Sequence, residues 1–519
     1  MDHSLRDEIA SSLAFTNHVS HSTPFTMTHP ILYEINTRCW LRELSDQLRR
    51  PITLATVPDE QFAGWQRLGF THIWLMGVWT TGPRARALAF NEPNLRRAFN
   101  ELLPGWREED VAGSPYSISD YSVPSVLGGD AGLKQFRARL HRAGMKLVLD
   151  FVPNHLGFDH AWPRERAELF VQSPAQVEGT FAQETPAGRR WIAHGKDPYF
   201  PHWTDVAQLD YRNPKTRQTM QELLLSVAAR CDGVRCDMAM LLLNDVFART
   251  WERFPFPGEA PTEEFWGQAV PAVKQAYPDF LFLAEVYWGL EAGLQSLGFD
   301  YTYDKQLYDD LFWRNSMGPQ KRLQELYPGF VAACAHFLEN HDEPRIAPAL
   351  SLPEHRAAAL VILGLPGMRF LHEGQLTGAR IKVPVQLGRR PKETPQPAIQ
   401  QMYDSLLTKL AITAVGRGSA EILSPREAWA GNWTAHSFVV VQWQAQPEQF
   451  DLVAVNLAPH RSQCVVPLKI PALAAHNWSM TDLLGTEAYE RFGNDLESQG
   501  LYLDLPEHGA QLFRFEPIR

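Results

Sequence analysis

Four segments in the middle of the chain each carry a run of apolar, β-prone residues into a cluster of polar ones. They are KLVLDFVPNH (Lys146 to His155), DGVRCDMA (Asp232 to Ala239), FLFLAEVYWG (Phe280 to Gly289) and HFLENHDEPR (His336 to Arg345). A strand covered on both faces reads as a near-continuous apolar run, and its carboxyl end is where barrel and open-sheet enzymes gather their reactive groups. The pattern therefore predicts parallel strands whose ends meet at one shared site.

Comparable runs occur at Leu32–Ile35, His72–Met76, Lys146–Phe151, Gly233–Asp237, Phe280–Glu285, Phe299–Tyr303, Ala335–Glu339 and Gly367–His372. Stretches of helical length separate them, such as DAGLKQFRARLHRAG, where Leu133, Phe136 and Leu140 recur at three- and four-residue intervals and Gly144 supplies a stop. Eight strands alternating with helices predict an α/β fold, a (β/α)8 barrel. An open doubly wound sheet is the other arrangement, but no G-x-G-x-x-G turn follows the first run. Two connections, Trp79–Tyr121 and Leu156–Asn213, exceed what one helix needs. Each leaves the carboxyl end of a strand, so both are expected to rise over the site.

After about residue 412 the texture changes to SFVVVQWQ, DLVAVNLAP, QCVVPLKI and AQLFRFEP, short runs broken by Pro, Asn and Gly. The expected organisation is an extension over residues 1–28, a catalytic barrel over 29–411 with an insertion at 156–213, and an all-β sandwich over 412–519.

A formal charge of −10 and the lack of any Lys/Arg cluster argue against a nucleic-acid partner. Five scattered cysteines without metal-ligand spacing read as free thiols in a reducing compartment. With neither an amino-terminal signal pattern nor an apolar span long enough to cross a bilayer, the expected setting is cytoplasmic. The oligomeric state is not legible.

Asp237 and Glu285 end consecutive strands. Neighbouring strands lie roughly 4.8 Å apart, and a retaining glycosyl transfer needs two carboxyls about 5 to 5.5 Å apart, one attacking the anomeric carbon and one serving as acid and then base. Arg235, two residues before Asp237, shares its face of the strand and is expected to lower its pKa. Glu285 follows FLFLA and precedes Val286, Tyr287 and Trp288, where desolvation is expected to raise its pKa toward that of a general acid.

Asp150, Val152, Asn154 and His155, then Gly233, Arg235 and Asp237, then Glu285, then Asn340, His341 and Asp342 follow in an order that resembles the α-amylase family of retaining glycoside hydrolases. The likeness runs over most of residues 31–375 and includes SPYSISDY and GLPGMRFLHEG. It implies that Asp237 is the nucleophile, Glu285 the acid/base and Asp342 the stabiliser of the oxocarbenium-like transition state. It also implies that His155 and His341 donate to the sugar at the cleaved position, that Tyr116 stacks on it and that Arg235 orients Asp237. Arg345 matches a contact with that sugar or with Asp342.

There are departures. Met240 and Leu241 stand where many starch-cleaving members carry Lys-His, so a polymer contact is missing. The insertion is short and poor in acid, so Asn154 is expected to be a structural hydrogen-bonding residue, and neither a metal nor another cofactor is predicted. The implied substrate is an α-linked gluco-oligosaccharide or short α-glucan, cleaved by hydrolysis. Transfer or isomerisation on the same site, trehalose-forming chemistry included, is the alternative, and a non-catalytic sugar-binding barrel the remote one.

Overall fold

A computed structural model describes residues 29–518; the expected extension over 1–28 lies outside them. All eight predicted strands form. They are β1 (Ile31–Asn36), β2 (His72–Met76), β3 (Lys146–Phe151), β4 (Gly233–Cys236), β5 (Leu281–Ala284), β6 (Tyr301–Tyr303), β7 (Cys334–His336) and β8 (Met368–His372). They close into a parallel barrel in which each strand pairs with the next and β8 returns to β1. Alternate side chains point inward, and Leu32, Trp74, Val148, Leu283, Phe337 and Phe370 pack the interior solid. The helix expected from DAGLKQFRARLHRAG runs over Gly129–Arg142, with Leu133, Phe136 and Leu140 buried. Gly144 follows at φ 74°, a left-handed turn that a residue with a Cβ enters at a cost.

Both long connections have structure of their own. The first holds two short helices, Pro83–Asn91 and Pro93–Leu102. The second folds into antiparallel strands, among them Thr180–Thr185, Gly188–Gly195 and Trp203–Gln208.

Beyond the helix Pro397–Leu410, six antiparallel strands form one sheet, and the pair Ser462–Val466 and Leu501–Leu505 forms a ribbon beside it. The strand Phe438–Gln446 shows how the period of two serves both faces. Phe438 and Val440 join a core with Cys464, Leu501 and Leu503 of the ribbon. Val439, Val441 and Trp443 face the other way into the core shared with the barrel. There the indole of Trp443 donates to the Gly364 carbonyl at 2.8 Å. All five cysteines are free and buried. Among the described residues no helix is long and apolar enough to cross a membrane.

Candidate active site

The pairing of β4 with β5 sets Cys236 opposite Ala284, so Asp237 and Glu285 leave adjacent strands at the same level. Arg235 sits between them, fully buried. Its Nη1 donates to Asp237 Oδ1 at 2.6 Å. Its Nη2 lies 2.7 Å from Glu285 Oε2 as an ion pair, without the alignment of a hydrogen bond. Its Nε donates to the Tyr303 hydroxyl at 3.3 Å, and Trp74 and Tyr116 present ring faces to the guanidinium. Only Oδ1 of Asp237 is engaged; among the described residues Oδ2 accepts no hydrogen bond and is free for chemistry.

Glu285 is held at both oxygens. Oε2 accepts from the Met238 backbone N–H at 2.8 Å and Oε1 from the Tyr287 hydroxyl at 2.9 Å. Burial, opposed by Arg235, pushes its pKa up to about 7, the direction expected from the apolar residues around it. Asp237 departs from expectation. Burial outweighs the guanidinium, and the net displacement is upward. A cation two residues away is visible in the sequence, whereas the depth at which it sits is not.

Asp342 behaves differently because its side chain is 46% exposed. The partial burial that would raise its pKa is outweighed by His341, whose Nε2 lies 2.9 Å from Asp342 Oδ2, and the carboxyl stays well below its usual range. On its other side His341 donates from Nδ1 to Glu34 Oε1 at 2.5 Å. Burial lowers the basicity of this imidazole, but the two flanking carboxylates win and hold it as a cation. The Tyr116 hydroxyl lies 2.8 Å from the same Nε2, with its ring stacked on the imidazole. His155 is buried against Trp203, and burial pushes it down to about 4, so it is a neutral hydrogen-bonding group.

Arg345 lines a small cavity with His341 and Lys382, but its guanidinium is engaged elsewhere. Its Nη1 donates to Glu339 Oε1 at 2.7 Å and to the Glu373 carbonyl at 2.7 Å, and its Nε to the Ile381 carbonyl, with no hydrogen bond or ion pair to Asp342. A carboxylate six residues earlier, not the site, takes its charge. Met240 and Leu241 are core residues. Asn154 exchanges two side-chain hydrogen bonds with Gln208, the structural contact expected of it.

Three participants escaped sequence reasoning. Glu34 is a fully buried carboxylate two residues after the inward-facing Leu32, and that alternation was the available signal. Tyr303 follows the same logic on β6. Lys382, which donates to the Asp342 backbone carbonyl, comes from the loop after β8 and left no signal. Of the aromatic residues in the insertions, Trp79 and Phe99 are core, whereas Tyr199, 69% exposed, meets Trp288 edge-on at 4.9 Å. Trp288 has φ 66°, in the left-handed region, three residues after Glu285.

Residues 61–394 match the family model for the alpha amylase catalytic domain. The chain belongs to the alpha-amylase family. It is similar to alpha-amylase 3 of Dictyoglomus thermophilum, 24% identical over 296 residues, which is 53% of this chain and 56% of that one. It is also similar to alpha-amylase MalA of Haloarcula japonica, 26% identical over 288 residues, covering 53% of this chain and 38% of the relative. The chain thus spans about half the length of the curated relatives it matches. Among solved structures, an alpha-amylase from Lactobacillus plantarum superposes with a TM-score of 0.64 at 20% identity, over 93% of this chain and 98% of that one. That likeness extends the alpha-amylase architecture through the C-terminal sheet.

Proposed function

We propose that this member of the alpha-amylase family is a retaining α-glycosidase that hydrolyses α-linked gluco-oligosaccharides or short α-glucans through a covalent glycosyl intermediate on Asp237. One observation carries the reading. A single guanidinium touches both carboxylates, which leave adjacent strands at one level, and this supports the close pairing that retention needs. An inverting pair would need room between them for a water.

In this scheme the free Oδ2 of Asp237 attacks the anomeric carbon while Glu285, protonated near neutral pH, gives its proton to the leaving oxygen. Water then enters, Glu285 takes its proton back as base, and the ester opens. Asp342, kept ionised by His341, stabilises the positive charge that develops on the ring. His341, His155 and Tyr116 line the position of the cleaved sugar. Arg235 orients Asp237. Arg345, which lines a small cavity with His341 and Lys382, is the further candidate for a contact with that sugar. Trp288 and Tyr199 fit the leaving-group side as apolar faces for a glucose ring. The buried free thiols suit a reducing, cytoplasmic setting.

Incubation with maltose, maltotriose, maltohexaose, sucrose and trehalose, followed by chromatography and by NMR of the anomeric proton, tests the reading. Glucose and shorter oligomers released first as the α-anomer are expected. β-Anomer first would overturn retention. Longer or isomeric products would replace hydrolysis by transfer, and inertness toward every sugar would remove the enzymatic reading.

A further inference from the structure

A cavity of about 770 Å³ lies outside the candidate site, a groove alongside the helix Thr37–Leu48. Four arginines line it, Arg38, Arg42, Arg49 and Arg50, against a single acid, Asp46. This runs against the −10 of the whole chain. Its floor is apolar, with Leu41, Ile52 and Leu127 buried beneath it.

Arg38 is the informative member. Its guanidinium donates to the carbonyls of Gly113 and Trp79 and to the Thr81 hydroxyl, all neutral acceptors. Among the described residues no carboxylate lies within ion-pair distance, and burial pulls its pKa down to about 10. A half-buried charge without a counter-ion is costly, and proteins normally pair it. Nor does the helix account for it, because Arg38 stands in the first turn, where the macrodipole disfavours a cation. Arg49 adds a second anomaly. It holds φ 53° at the position after the helix, where glycine avoids the strain. The negative end of the helix suits Arg49 and Arg50, but that interaction needs neither the groove nor Arg38. Arg42 is partly neutralised by Asp46 at 3.4 Å, which leaves three cations facing the groove with no acid in ion-pair range among the described residues.

We propose that this groove binds a small organic anion, a phosphate or carboxylate on an apolar body, with the charged end on Arg38, Arg49 and Arg50 and the body over Leu41 and Ile52. Such a ligand supplies the missing counter-charge and covers the apolar floor together. Inorganic phosphate would satisfy only the first requirement and an uncharged apolar compound only the second.

Calorimetric titration of the full chain with 1-naphthyl phosphate, 1-naphthol and inorganic phosphate tests the proposal. Saturable one-to-one binding of 1-naphthyl phosphate is expected, at least about tenfold tighter than either fragment, the scale of one charge-assisted hydrogen bond. Arg38→Gln should abolish it. Because Arg38 also fastens two loops, the exposed pair Arg49→Gln/Arg50→Gln and the substitution Val126→Glu, at a residue 76% exposed on the groove edge, supply variants that fold. Each should weaken 1-naphthyl phosphate by about tenfold or more, while hydrolysis of a small α-glucoside stays unchanged. Absence of binding, equal affinity for inorganic phosphate, or affinity indifferent to the exposed variants would overturn the proposal. None of these outcomes bears on Asp237 or Glu285.

Discussion

Strand β4 has an aspartate just beyond each end, and the two are treated in opposite ways. Asp232, before the strand, is 13% exposed and accepts two bonds from Arg137, one from His141 Nε2 at 2.8 Å and one from the Leu147 backbone N–H. Burial raises its pKa, but these donors outweigh burial and leave it below the ordinary value of 3.8. Asp237, after the strand, is 8% exposed and accepts a single bond, and its pKa rises. Similar burial therefore yields a well-satisfied carboxylate at one end and a sparsely satisfied one at the other. The number of donors decides which. The stability consequences have opposite sign. Asp232 stabilises the fold above its ordinary pKa and loses that contribution as pH falls through its lower folded value. Asp237 and Glu285, raised, subtract stability as pH climbs from their ordinary values through their folded ones.

The sharpest way to break the comparison is to neutralise each aspartate. Asp237→Asn should lower kcat by about 10⁴-fold or more with the fold intact, because a covalent nucleophile is lost at constant volume. Residual turnover within tenfold of the parent would remove its role. Glu285→Gln should cost roughly 10² to 10⁴-fold on a natural disaccharide and far less on an activated aryl glucoside. Equal losses on both would show that Glu285 does not protonate the leaving group.

Asp232→Asn should do the reverse. It should leave kcat/KM nearly unchanged and cost about 1 to 3 kcal/mol of stability, read by urea denaturation, because buried donors lose their anion. The smallest effect concerns proton affinity alone. Glu285, near 7, should set the alkaline limb of kcat/KM, with activity falling as pH rises past it. Tyr287→Phe removes a donor to the ionised form and should move that limb up by about half a pH unit to one unit. An unmoved limb would detach Tyr287 from the acid.

The carboxyl-end cluster was largely legible because apolar runs of four to six residues mark strands, and a strand's last residues face one common end. Asp237, Glu285, Asp342, His341 and Tyr116 come together as their motifs imply. What remained hidden depends on depth and partners. Arg345 has a nearer carboxylate in Glu339, a contact that no spacing reveals. The upward displacement of Asp237 reflects how far Arg235 is removed from water. Glu34 was half visible, an acid in an inward register, but its partner lies 307 residues away. The sheet of the C-terminal domain was readable from alternation, whereas its second face against the barrel needed the fold.

Arg235 has a further consequence for the proposed reaction. Of the two reacting carboxyls at the guanidinium, Asp237 is an anion before the first step and Glu285 a neutral acid, with Asp150 a bystander 3.8 Å from Nη1. After it, Asp237 is an uncharged ester and Glu285 has given up its proton. The negative charge has moved from the Nη1 side to the Nη2 side of one planar, delocalised cation, over a few ångströms, and the total facing Arg235 has not changed. The site holds its electrostatic balance through glycosylation and again in reverse, so neither half-reaction has to draw in water or a counter-ion to settle the charge.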